Sequence, residues 1–191
     1  MAPKLEQLMQ PTMVNDFVKL GKDSKIWRNC NVYGTNEEPV IIGENTQIGH
    51  GSEIKPGVII GDNCRFQYGL FVPEGISFGD YVFVGPRVTF TNDKYPDIAK
   101  TLYQTWSIIK THVSSFASIG GGAIILPGAN IGLAAQIGGG SVVTKPIPEY
   151  KIVVGNPAKI VGDIRDQKVR SRYFRSQYAA LFSLINERGQ K

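Results

Sequence analysis

Taking every sixth residue from Ile42 gives Ile42, Ile48, Ile54, Ile60, Phe66, Val72, Phe78, Val84 and Phe90, all of them apolar. Four places further on in each unit stand Thr46, Ser52, Val58, Cys64, Leu70, Ile76, Val82 and Val88, each small or apolar. The rule resumes at Val113, Ile119, Ile125, Ile131, Ile137 and Val143, with Ala117, Ala123, Ala129, Ala135 and Ser141 four residues on. A helix repeats near 3.6 residues and an alternating strand at 2, so neither accounts for a period of six. A coil with three flat faces does, with one hexapeptide per face and every sixth side chain pointing inward. Such coils stack, pair as parallel strands and bury a continuous core, as solenoids do. Glycine follows the inward residue in Ile42-Gly43, Ile48-Gly49, Ile60-Gly61, Ile119-Gly120, Ile131-Gly132 and Ile137-Gly138, where a bending backbone is crowded. The predicted class is an all-β parallel β-helix. Spacing alone does not give its hand.

Departures from the hexad divide the chain. Residues 1–25 lack the register and form an N-terminal lead-in segment; 26–162 are the β-helix; 163–191 read as a helical tail. Within the solenoid, 91–112 is an excursion, and interruptions of that length in a regular scaffold usually carry function. In the tail, Phe174, Tyr178, Leu181, Phe182 and Ile185 fall on one helical stripe. That stripe suits packing on the solenoid or on a neighbouring subunit, capping an open sheet edge.

Charge and composition narrow the classes. The net charge of +5 resides in the stretch from Lys159 to Lys191, which holds eight basic residues against Asp163, Asp166 and Glu187. A solvated helix face explains this, and a phosphate site is the functional alternative; no nucleic-acid motif accompanies it, so no nucleic-acid partner is expected. No apolar run is long enough for a membrane span and no secretory signal opens the chain, so a cytoplasmic protein is expected. Cys30 and Cys64 make neither a disulfide framework nor a metal cluster and read as free thiols. The two histidines, His50 and His112, cannot supply a three-histidine zinc site, and no metal is expected.

The run Ala117-Ser118-Ile119-Gly120-Gly121-Gly122-Ala123-Ile124-Ile125-Leu126-Pro127-Gly128 resembles the donor-site coil of hexapeptide-repeat acetyltransferases. Ile137-Gly138-Gly139-Gly140-Ser141-Val142-Val143-Thr144-Lys145 and Val154-Gly155-Asn156-Pro157-Ala158-Lys159 follow in that family's order. The resemblance covers roughly 25–162. It implies a left-handed β-helix, a homotrimer with sites between subunits, and acetyl-CoA as co-substrate. Gly121, Gly139, Thr144, Lys145, Asn156, Pro157 and Lys159 become the donor-site candidates. Gly85-Pro86-Arg87-Val88-Thr89-Phe90-Thr91-Asn92-Asp93-Lys94-Tyr95-Pro96 resembles a segment of the nucleotide-linked 3-amino-sugar N-acetyltransferases of bacterial surface-glycan (lipopolysaccharide-type) synthesis. That resemblance implies Asn92 at the reaction centre, with Gln67 and Glu74 bordering the acceptor, a nucleotide-linked amino sugar; Asp93 is a further catalytic candidate and Tyr95 a further acceptor-side one. Tyr68-Gly69 stands where that subfamily carries two asparagines, and Arg87 where a small or amide residue is usual.

Chemistry separates the acceptor classes. A hydroxyl needs a positioned base, usually histidine. The excursion carries Tyr95-Pro96 where related O-acetyltransferases carry histidine before proline. An amine with a pKa near that of an α-amino group, about 7.7–8.0, is partly neutral near pH 7 and attacks once oriented. The sequence therefore favours N-acetyl transfer, with Asn92 orienting the amine and Asp93 either accepting its proton or capping a turn. Two alternatives stay open: an O-acetyltransferase using His112 as base, and a non-catalytic β-helix scaffold. His50 reads as an outward, solvated or interface side chain. Leu102, Tyr103 and Trp106 read as a small core within the excursion, or as a lid over the acceptor.

Overall fold

The computed structural model describes residues 12–166, 168, 169, 183–185 and 187. Its strands are two to five residues long, and three sheets run the length of the molecule. The first face stacks Met13–Val14, Asn31–Val32, Glu53–Ile54, Phe71–Val72, Thr89–Phe90, Ile124–Ile125 and Val142–Val143. The second stacks Val18–Leu20, Val40–Ile42, Ile59–Ile60, Ile76–Phe78 and Thr111–Val113, continued by bridges through Ile131 and Ile147. The third runs from Lys25–Ile26 through Gln47–Ile48, Arg65–Phe66, Phe83–Val84, Ser118–Ile119 and Gln136–Ile137 to Lys151–Val154. Pairing within these stacks is parallel, so the chain climbs one coil for every circuit of three faces.

The hexad positions behave as the period demands. Every residue at an inward place, from Ile42 to Val143, is buried, and so is each of its partners four residues on. Polar members of the second set satisfy themselves at the corners. The Thr46 hydroxyl donates to the Gly61 carbonyl (2.8 Å) and that of Ser52 to the Gly49 carbonyl (2.7 Å). The Cys64 thiol donates to the Gly79 carbonyl (3.2 Å), and burial pushes its pKa up to about 11. Phe66, Phe78 and Phe90, one from each face, pack edge to face, with centroids 4.8 and 5.2 Å apart. Glycines after the inward residue answer to the neighbouring coil rather than to their own bend. A Cβ on Gly61 would lie 2.7 Å from the Gly79 main chain.

Two boundaries differ from the sequence expectation. Paired strands begin at Met13, because Met13 and Val18 already find partners in Asn31 and Val40; the first coil escaped notice because its outward residues are apolar and blur the hexad. The excursion ends two residues early, since Thr111 and His112 pair with Ile76 and Ser77. Phe78 to Val113 spans 35 residues where Ile60 to Phe78 takes 18, yet both pairs stand in ordinary register. At the far end Lys159–Asp163 folds back antiparallel on Lys151–Val154. Residues 183–185 are helical. Ile185 is buried with Phe116, Ala134 and Ile164, so this part of the tail packs on a solenoid corner; Phe174, Tyr178, Leu181 and Phe182 lie outside the described residues. Among the described residues no helix is long and apolar enough to cross a membrane.

Candidate active site

The excursion leaves the solenoid at the corner between the first and second faces, and its neck is closed by main-chain bonds. Thr91 N–H donates to the Ile125 carbonyl (3.0 Å), Ile109 N–H to the Asn92 carbonyl (2.9 Å) and Thr111 N–H to the Gly75 carbonyl (3.1 Å). These bonds fix Asn92 against the coil before it. Its side-chain amide donates to the carbonyl oxygen of Glu74 (3.2 Å) and to carboxylate Oε2 (3.3 Å). The Asn92 Oδ1 has no hydrogen-bond partner among the described residues.

Asp93 is engaged differently. Its Oδ1 accepts from the Tyr95 N–H (3.0 Å) and from Lys100 Nζ (2.8 Å). The ammonium is the main reason its carboxyl is held below the usual range. Lys100 reaches it from a short helix, Ile98–Leu102, started by Asp97, whose side chain accepts from the Ala99 N–H (2.9 Å). Leu102 and Tyr103 are 72% and 77% exposed, so they form no core of their own. The excursion is too short to fold over them. Trp106 lines a cleft with Asp93, Pro96 and Lys100. Tyr95 is exposed beneath the Lys94 ammonium.

His112 stands at the same corner on the second face. Its Nδ1 is 2.9 Å from the Ser77 hydroxyl, and its main-chain N–H donates to Asn130 Oδ1 (2.7 Å). Glu74, Ser77, Asn92 and His112 are thus gathered at one corner, whereas Gln67 is not. Gln67 lies on the corner between the third and first faces, lining a cleft with Trp27, His50, Arg65 and Tyr68.

Gly121 and Gly139 share that second corner on later coils. A Cβ on Gly139 would sit 3.2 Å from the Gly121 carbonyl, and one on Gly121 3.0 Å from the Pro86 ring. Gly122 and Gly140, both at positive φ, face open space. The result is a strip of bare backbone running along the solenoid axis. Thr144 and Lys145 are exposed after the last strand of the first face. The turn carrying Asn156 and Pro157 is pinned to that strand, with Val142 N–H donating to Gly155 (3.0 Å) and Ala158 N–H to Val142 (2.8 Å). Lys159 follows it, exposed. Sequence reasoning missed Ser77, Lys100 and Asn130, because their partners lie seven to 35 residues away across the excursion or a coil.

Residues 39–73 match the family model described as bacterial transferase hexapeptide (six repeats). The chain is 49% identical over 53 residues, 28% of each chain, to the dTDP-3-amino-3,6-dideoxy-alpha-D-galactopyranose 3-N-acetyltransferase of Aneurinibacillus thermoaerophilus. It is 34% identical over 95 residues to the galactoside O-acetyltransferase of Lactococcus lactis, covering 48% of this chain and 45% of that one. The matched stretches span about half or less of the length of the curated relatives. Among solved structures, it shares its fold with AntD, an N-acyltransferase from Bacillus cereus crystallised with dTDP and 3-hydroxybutyryl-CoA. The TM-score is 0.66 at 17% identity, over 92% of this chain and 95% of that one.

Proposed function

We propose that this protein transfers an acetyl group from acetyl-CoA to the amine of a nucleoside-diphosphate-linked amino-deoxy sugar, a 3-amino sugar of surface-glycan synthesis being the favoured acceptor. The observation that carries the reading is the Asn92–Glu74 pair at the neck of the excursion. Glu74 holds the amide nitrogen, which leaves Oδ1 to accept an N–H of the incoming amine and aim its lone pair. The amine attacks the thioester carbonyl and forms the C–N bond. The C–S bond then breaks, and the proton lost by nitrogen passes to the departing sulfur or to water. Positioning and hydrogen-bond donation to the oxyanion supply the rate. Asp93 is a poor proton acceptor while Lys100 and the Tyr95 amide hold it, so its part is to shape the excursion. Tyr95 and Gln67 are acceptor-side candidates.

On the donor side, the Gly121–Gly139 strip gives pantetheine a close approach. Thr144, Lys145, Asn156, Pro157 and Lys159 border the far end, where lysines suit phosphates. The exposed apolar residues of the excursion, Ile98, Leu102 and Tyr103, suit contact with another copy, in keeping with a homotrimer whose sites lie between subunits.

A second reading has its own support. The Ser77 hydroxyl fixes the His112 ring, as a base for a hydroxyl acceptor requires, and one relative is a galactoside O-acetyltransferase. Thiol release from acetyl-CoA, assayed across dTDP- and UDP-linked amino sugars and across galactosides, decides. Turnover confined to the amino sugars supports the proposal; turnover confined to hydroxyl acceptors overturns it in favour of His112. Absence of acetyl-CoA binding by calorimetry overturns both and leaves a scaffold.

A further inference from the structure

The corner between the third and first faces repeats one backbone device on successive coils, a residue in the left-handed region. Asn29, Gly51, Gly69, Gly122 and Gly140 occupy it, with φ between +59° and +70°. These are residues that accept that conformation readily. The exception is Arg87, at φ +57°. A long side chain there costs stability that glycine would not.

The side chain is held in place. Its stem passes over Gly69, 3.5 Å from where a Cβ would stand. Its guanidinium lies 5.6 Å from the centre of the Tyr68 ring, and His50, one coil earlier, stacks parallel to that ring with centroids 5.3 Å apart. The guanidinium is thus laid on a fixed platform, exposed, with no carboxylate partner among the described residues. Arg65, lining the same cleft, is by contrast consumed by the Asn45 carbonyl, Asn45 Oδ1 and the Cys64 carbonyl. A planar cation laid over an aromatic ring, with no ion-pair partner among the described residues, suits a bidentate oxyanion.

We propose that Arg87, positioned by Tyr68 and His50, binds the diphosphate of the acceptor and so determines that the acceptor is nucleotide-linked. The inference rests on the proposed function. Arg87 and Asn92 sit at the two ends of one strand, Thr89–Phe90. Full extension of the five intervening steps would put them at most about 16 Å apart, a span on the scale of a sugar and its diphosphate along one face. The donor strip begins on the next coil at Gly121, so the acceptor phosphates and the donor are neighbours without sharing Arg87.

Arg87→Gly is the informative variant, because it removes the guanidinium and installs the residue the column otherwise favours. Binding of dTDP, UDP and acetyl-CoA is measured by calorimetry on the full chain, with thermal unfolding alongside. The expected result is an unchanged or higher midpoint, at least tenfold weaker dTDP or UDP binding, unchanged acetyl-CoA binding, and an intermediate loss for Arg87→Lys. Nucleotide binding at wild-type strength in Arg87→Gly overturns the inference alone. So does a loss falling on acetyl-CoA instead. If the wild-type chain binds acetyl-CoA but neither nucleotide, the nucleotide-linked acceptor itself is refuted, and the inference with it.

Discussion

Asn92 and Glu74 stand one coil apart, and the asparagine amide donates to both the main-chain carbonyl (3.2 Å) and the carboxylate (3.3 Å) of the glutamate. One side chain therefore sets the direction of the other's free oxygen. Asn92→Ala is expected to lower kcat by about 10²-fold, the scale of losing an oriented polar group at a reaction centre. Glu74→Gln retains the main-chain bond and should lose far less. Steady-state kinetics with the best amino-sugar acceptor checks both.

His112→Asn separates the acceptor classes. A positioned general base contributes about 10²–10⁴-fold. If the acceptor is an amine, the variant keeps kcat within a few-fold of wild type, and the acidic limb of its pH–rate profile stays in place. A collapse of kcat by two orders would assign the base to His112.

Phe78 touches both Phe66 and Phe90 edge to face inside the prism. Phe78→Ala opens a cavity in a core that cannot readily collapse, because the strands around it are fixed by pairing to their neighbours. The expected cost is about 3–5 kcal/mol. It is read as a lower urea midpoint with an unchanged slope.

Cys64 gives stability a pH dependence with a definite sign. In the unfolded chain its thiol ionises near 9.0; in the folded chain burial holds the proton until about 11. Between those values the unfolded state binds fewer protons, so the unfolding free energy falls as pH rises, by about 2–3 kcal/mol for a shift of this size. Below pH 9 the contribution is fully present. Cys64→Ser keeps a donor for the Gly79 carbonyl and should flatten the decline, as denaturation at pH 8, 9, 10 and 11 would show.

The solenoid was legible because its rule is local: each inward residue announces itself six places after the last, and Ile42 through Val143 needed no knowledge of one another. The site was legible only in part. Asn92 and Glu74 were named from a resemblance, and nothing in their spacing says that they touch. That follows from three hexads per coil, which puts residues 18 apart into contact. Asp93 looked equally suited to two tasks until the Ile98–Leu102 helix brought Lys100 onto it. Tyr68, Gly69 and Arg87 read as three separate departures from a pattern; in three dimensions Gly69 gives way to the stem of Arg87 and Tyr68 supports its head. His112 was assigned to the excursion because the hexad is silent about where a strand re-enters, and its pairing with Ser77 depends on a neighbour 35 residues back.

Thr111 meets Ile76 in the register that an uninterrupted chain would have used. The scaffold is therefore indifferent to what hangs from that corner, provided the two stumps at Asn92 and Ile109 can shake hands. Loops of other lengths and chemistries should be graftable there without refolding the prism. On the proposed function, a change of acceptor would then proceed by swapping one appendage while the glycine strip, built on later coils, stays as it is.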